Sequence, residues 1–180
     1  MKLQLKEFLK DHAEKSDGDK CHNENHTHTK ILFLGIGNDM LGDDAIGPVT
    51  VNKLSEIFKR RTDIMVINGG TVPENYTGII RRETPSHLIF IDAVEMGKEP
   101  GHIRLVEKDE IANYSISTHA MPISFLIKYL ESSVDAQIIL IGIQPKNMDM
   151  TQSTLKKDVI SSEVEKSIEE IVEILKSILN

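Results

Sequence analysis

A chain of 180 residues with a net charge of −7 is long enough to bury the core of one domain, and its acidic balance argues against nucleic-acid binding, which rests on neutralising phosphates. No run approaches the roughly 18 apolar residues of a membrane span, and the single cysteine, Cys21, permits no intrachain disulfide. An ordinary soluble protein of a reducing compartment is expected, with the cytoplasm as its location.

Residues 1–14 read as a short amphipathic helix with Leu5, Phe8 and Leu9 on one face. Charges interrupt that segment, so it lacks the apolar core of a secretion signal. The stretch SDGDKCHNENHTHTK is polar and aperiodic and reads as a linker. It gathers Cys21, His22, His26 and His28, residue types that bind zinc or nickel. Their spacing matches no compact four-ligand pattern, which favours a tether over a metal site. Residues 1–29 are therefore taken as an N-terminal extension and residues 30–180 as a single domain.

Ile31–Ile36 is nearly continuous in apolar residues, as central parallel strands are. A glycine turn, Gly35-Ile36-Gly37-Asn38, stops it, and the adjacent carboxylates Asp43 and Asp44 stand before a helix that either can N-cap. Pro48 lies early in that helix, where a missing amide is harmless. A second strand, Ile64–Ile67, halts at Asn68-Gly69-Gly70-Thr71, and Pro73-Glu74-Asn75 starts a short helix. A third strand, His87–Ile91, closes on Asp92-Ala93. Pro100-Gly101 is a turn, and His102–Val106 alternates as an edge strand, the candidate antiparallel element. Thr118 caps a helix with Pro122 in its first turn and Ile123, Leu126, Ile127 and Leu130 along its apolar stripe. Gln137–Ile143 is the last strand. In the final helix Ser162-x-x-Glu165 reads as a capping box, ahead of a face of Val164, Ile168, Ile171, Val172 and Leu175. Strands alternating with helices imply a three-layer α/β domain: a mostly parallel twisted sheet with helices on both faces.

In such a sheet, functional groups gather at the carboxyl ends of the strands. Asp44 follows the first strand, Asp92 ends the third, and His119 precedes the third helix. Two carboxylates and an imidazole on one rim suit a divalent transition metal and leave positions open for water or substrate. Each has an ordinary alternative: Asp44 as an N-cap, Asp92 as a turn former, His119 as a cap or surface residue. Other chemistries lack their motifs. Gly42 arrives two positions late for G-x-G-x-x-G, the phosphate-loop pattern is absent, and neither G-x-S-x-G nor H-E-x-x-H occurs. Cys21 sits in the linker, which disfavours a cysteine nucleophile.

The run Gly35-Ile36-Gly37-Asn38-Asp39-Met40-Leu41-Gly42-Asp43-Asp44-Ala45-Ile46-Gly47-Pro48 resembles the opening motif of the [NiFe]-hydrogenase maturation proteases, which trim the C-terminal extension of the hydrogenase large subunit. The resemblance continues at Asn68–Asn75, Ile91–Gly97, Ser117–Pro122 and Ile141–Pro145, and is greatest to the subgroup acting on formate-hydrogenlyase-type hydrogenases. It implies a twisted α/β sheet flanked by helices, with Asp44, Asp92 and His119 as catalytic and metal-contacting residues. It further implies that the metal is nickel already inserted in the precursor, so that no tightly bound cofactor of the protease's own is expected. Gly37, Asn38, Gly69, Gly70 and Thr118 are the expected substrate-binding residues. The glycine turns would receive substrate backbone or donate amide hydrogens to an oxyanion. The implied partner is the large-subunit precursor, with neither nucleic acid nor membrane, and a monomer is favoured. A docking or chaperone module that senses nickel without cutting is the alternative, and a hydrolase with its own zinc is a third reading. Two positions depart from the family pattern. Ala45 stands where glycine is usual, which would strain the turn if φ is positive there. Asn68 stands where some relatives carry aspartate, and an asparagine cannot serve as a general base.

Overall fold

The computed structural model describes residues 1–10, 30–107, 110–111, 115–116, 122–148 and 160–179. Its elements are α1 (Lys2–Lys10), β1 (Ile31–Ile36), α2 (Ile46–Phe58), β2 (Ile64–Gly70), α3 (Thr77–Glu83), β3 (His87–Glu95), β4 (Ile103–Glu107), β5 (Ser115–Ile116), α4 (Ile123–Glu131), β6 (Gln137–Ile143) and α5 (Ser162–Leu179). Short 3-10 turns, Gly42–Ala45 and Pro73–Tyr76, lead into α2 and α3.

The strands run in the order β2-β1-β3-β6-β4, parallel except for β4, which pairs antiparallel with β6. The expected edge strand is thus in place. β5 adds a two-residue antiparallel pairing to the end of β3, Val94 with Ile116 and Glu95 with Ser115. That strand was not expected, because two residues carry no readable period.

Alternate residues of the buried strands feed two cores. Ile31, Phe33, Ile89, Ile91, Ile139 and Ile141 pack with Val51, Leu54 and Phe58 of α2 and with Val164, Ile168, Ile171 and Leu175 of α5. Leu32, Leu34, Leu88, Phe90 and Leu140 face Ile80 of α3 and Leu126, Ile127 and Leu130 of α4. Burying each such side chain contributes about 1.5–3 kcal/mol. The expected apolar stripes of α4 and α5 are the faces that pack. α1 joins the first core through Leu5, fully buried. His87, also fully buried at the amino end of β3, donates from Nε2 to the Phe8 carbonyl (3.1 Å), with the Phe8 ring edge-on at 5.2 Å. The Cys21, His22, His26 and His28 segment lies outside the described residues.

Several expected boundaries move. β2 runs on through Asn68-Gly69-Gly70, with one extra residue, Gly69, between the pairs Gly35–Asn68 and Ile36–Gly70. A bulge of this kind bends a strand and often borders a site. β3 continues to Glu95, so Asp92 lies within a strand and does not form a turn. Neither Asp43 nor Asp44 caps α2, whose N-cap is Ala45 without a side-chain bond. The capping box is not formed either. Ser161 supplies the carbonyl that opens α5, accepting from the Glu165 amide at 2.9 Å, while the Ser162 hydroxyl turns to the Glu163 carboxylate at 3.1 Å. At α2 distant partners in sequence hold the Asp43 carboxylate, whereas at α5 the Ser162 hydroxyl is held by its own neighbour, Glu163.

Candidate active site

The turn after β1 is built by its own polar groups. The Asn38 side chain accepts from the Met40 amide (3.0 Å), the Leu41 amide donates to the Asn38 carbonyl (3.1 Å), and the Asp44 amide donates to the Leu41 carbonyl (2.9 Å). Asp44 Oδ2 closes the loop by accepting the Asn38 amide at 3.0 Å, with the residue only 5% exposed. Gly37 makes this possible. At φ +134° it adopts a conformation L side chains rarely reach, and a Cβ there would lie 1.9 Å from the Asp44 carbonyl oxygen. The turn's left-handed residue is Gly42 (φ 48), whereas Ala45 has φ −76 and ψ 1. Alanine at position 45 is therefore unstrained.

The first turn of α2 rests directly on the sheet. A Cβ on Gly47 would come within 2.1 Å of the Ile36 carbonyl oxygen and 2.5 Å of that of Ile91, the residue before Asp92. The 3-10 turn carrying Asp44 likewise contacts β3. Asp92 is fully buried in β3 opposite Gly142 of β6, and its Oδ1 accepts the Ala93 amide at 2.7 Å. Strand alternation puts it on the face of Leu88, Phe90 and Val94, the side covered by α3 and α4. Two buried carboxylates on touching elements attract positive charge. Their hard oxygens suit a divalent cation, to which an imidazole would add a nitrogen ligand.

His119 and Thr118 lie outside the described residues. The nearest described residues are Ile116, paired to Val94 two positions beyond Asp92, and Pro122 at the N-cap of α4. Among the described residues no group of three His, Cys, Asp or Glu side chains could hold a metal.

The two glycine turns are brought together, since the Gly37 amide donates to the Gly70 carbonyl at 3.0 Å. The Asn68 side chain accepts the Gly70 amide at 3.1 Å. The amides of Gly37, Asn38 and Gly70 are thus engaged within the chain, and donating them to an oxyanion would require those bonds to break.

Two neighbours of the site have roles that the sequence reading did not assign. Asp43, 1% exposed, accepts the Ser161 amide on Oδ1 (2.7 Å) and the Lys146 amide, the Asn147 amide and the Ser161 hydroxyl on Oδ2 (2.8, 3.0 and 3.0 Å). Gln144, 4% exposed, braces the exit of β3: its Oε1 accepts from the Met96 and Lys98 amides while its Nε2 donates to Glu95 and the Pro145 carbonyl. The acidic pair itself was the available signal for Asp43, because two adjacent carboxylates in one buried turn cannot share a single partner set.

The family described as hydrogenase maturation protease, HycI, matches residues 48–178. The hydrogenase 3 maturation protease of Escherichia coli K12 is 39% identical over 115 residues, 63% of this chain and 72% of that protein. Among solved structures, the [NiFe] hydrogenase maturation protease HycI of Thermococcus kodakarensis superposes with a TM-score of 0.74 at 29% identity, covering 86% of this chain and 94% of that one. The endopeptidase HycI of Escherichia coli gives a TM-score of 0.69 at 30% identity, covering 82% and 90%.

Proposed function

The chain belongs to the hydrogenase maturation proteases and is a peptidase, and from that premise we propose that it removes the C-terminal extension of a nickel-loaded [NiFe]-hydrogenase large-subunit precursor, using the substrate's nickel as its recognition element. The observation that carries this reading is the pair of buried carboxylates, Asp44 and Asp92, on a turn and a strand in mutual contact. His119 is the third member of the proposed set. Carboxylate and imidazole groups complete the open coordination of a nickel ion held by the precursor, and that docking brings the scissile bond to the rim.

Water attacks the scissile carbonyl. Two routes activate it: transfer of its proton to a carboxylate of the pair, or polarisation by the substrate's nickel. Asn68 takes no proton. Gly37, Asn38, Gly69, Gly70 and Thr118 are the residues assigned to binding the substrate backbone. The composition supports a reaction in the cytoplasm, and among the described residues no helix is long and apolar enough to cross a membrane.

The test is incubation of nickel-loaded and nickel-free precursor with the protein, followed by mass spectrometry of the large subunit. Shortening of the loaded form alone is expected. Equal shortening of both overturns nickel recognition, and tight docking without shortening favours the chaperone reading. His119→Ala and Asp92→Asn are each expected to abolish processing with little change in thermal stability.

A further inference from the structure

Asp43 has more hydrogen-bond partners than its turn needs. Its carboxylate takes four hydrogen bonds from three residues in two segments: Lys146 and Asn147, just beyond β6, and Ser161, at the entrance to α5. Its own carbonyl accepts the Ile46 amide that opens α2. One residue thus joins the loop after β6, the start of α5 and the start of α2. Bonds from amides to a buried carboxylate are charge-assisted and directional. Asp43 is also the covalent neighbour of Asp44 in a four-residue 3-10 turn, so its anchoring fixes the backbone from which the Asp44 side chain projects.

We propose that Asp43 is a positioning residue for the peptidase reaction, holding the turn so that Asp44 faces the substrate. The inference rests on the reading of Asp44 as a site residue. It assigns Asp43 no contact with substrate, because its carboxylate is engaged by four backbone and serine donors, and leaves that contact to Asp44. An asparagine at position 43 would turn an NH2 group toward at least one of those donors, leaving buried amides without acceptors.

The Asn38 amide reports on this directly, because it donates to Asp44 Oδ2 whereas the preceding Gly37 amide donates to Gly70. Hydrogen exchange at single amides is to be measured by NMR, together with single-turnover cleavage of nickel-loaded precursor, for Asp43→Asn, Ser161→Ala, Asp44→Asn and the control Glu163→Gln. The control breaks the exposed Lys146–Glu163 ion pair that joins the same two segments. In Asp43→Asn we expect Asn38 exchange to rise about tenfold or more, Gly37 to stay protected, and cleavage to fall at least about tenfold. Ser161→Ala removes one of the four bonds and should move both readouts the same way by about threefold. Glu163→Gln should move neither.

Unchanged Asn38 exchange in folded Asp43→Asn overturns the proposal, as does retained cleavage in that variant when Asp44→Asn has lost it. Cleavage retained in both variants, with Asn38 exchange raised in Asp43→Asn, instead marks failure of the Asp44 reading. Should Asp43→Asn not fold, Ser161→Ala decides: no movement of either readout overturns the positioning role.

Discussion

The Asp44 carboxylate accepts the backbone amide of Asn38 at 3.0 Å, closing a polar loop directly beyond the end of β1. That bond makes the first carboxylate of the candidate site part of the loop's own framework, so its orientation is fixed by the chain itself. It also explains the glycine spacing of the motif. Gly37 lets the chain pass under the Asp44 carbonyl, and Gly47 lets α2 sit on the ends of β1 and β3.

Gly37→Ala tests this framework. A methyl group would meet a backbone oxygen at 1.9 Å in a conformation alanine avoids, so the loop must move. A loss of about 3 kcal/mol or more is expected by urea unfolding, with cleavage lost even where the variant folds. Full stability and full activity together would show that the loop closes without Gly37.

Ala45→Gly tests the opposite case. With φ −76 and a side chain 3% exposed, Ala45 neither strains the turn nor leaves space around it. Restoring the family's usual glycine is expected to cost about 0.5–1 kcal/mol through backbone entropy and a lost methyl contact. Cleavage should stay within about twofold of the parent. A large gain in rate would mean that alanine does distort the site.

The apolar runs of β1, β3 and β6 and the stripes of α4 and α5 were legible because burial on both sheet faces leaves near-continuous hydrophobic strands and helices with one packed side. The ends of elements were less legible. β2 absorbs Asn68-Gly69-Gly70 by pairing with β1 through a bulge, and pairing is a property of two strands. Asp43 and Ser162 had the right chemistry for caps, yet Asp43 was taken by partners more than 100 positions away in sequence. Ala45 would strain the turn only if its φ were positive, and the sequence does not show which residue of a turn is left-handed; here it is Gly42. Asp44 could be named from its place after β1, and Asp92 from the end of an apolar run that the structure extends to Glu95. Their burial and the contact between their elements needed the fold.

Thr84 gives a stability prediction remote from the site. It ends α3 at φ 41 and ψ 58, its amide donating to the Ile80 carbonyl at 3.1 Å, and it is the only non-glycine residue with positive φ among the described residues. A β-branched side chain is poorly suited to that conformation, whereas glycine takes it freely. Thr84→Gly is expected to raise stability by about 1 kcal/mol with cleavage unchanged, read from the urea midpoint at constant slope.

Glu163 supplies a pH dependence at the start of α5. Hydrogen bonding from the Lys146 ammonium, joined by the Glu163 backbone amide and the Ser162 hydroxyl, lowers its pKa from 4.5 to about 2. A carboxylate whose folded pKa is depressed adds stability that is fully present above its unfolded pKa and is lost as pH falls through the folded one. The window is therefore about 4.5 down to about 2. Both partners are well exposed, at 51% and 41%, so the contribution is small and screened by salt. In Lys146→Ala the Glu163 carboxyl resonance is expected to titrate closer to 4.5. The stability gap between parent and variant should close as pH drops through that window and should shrink in high salt. A gap that persists unchanged to the acid end would assign the Lys146 contribution to packing of its side-chain stem, not to its charge.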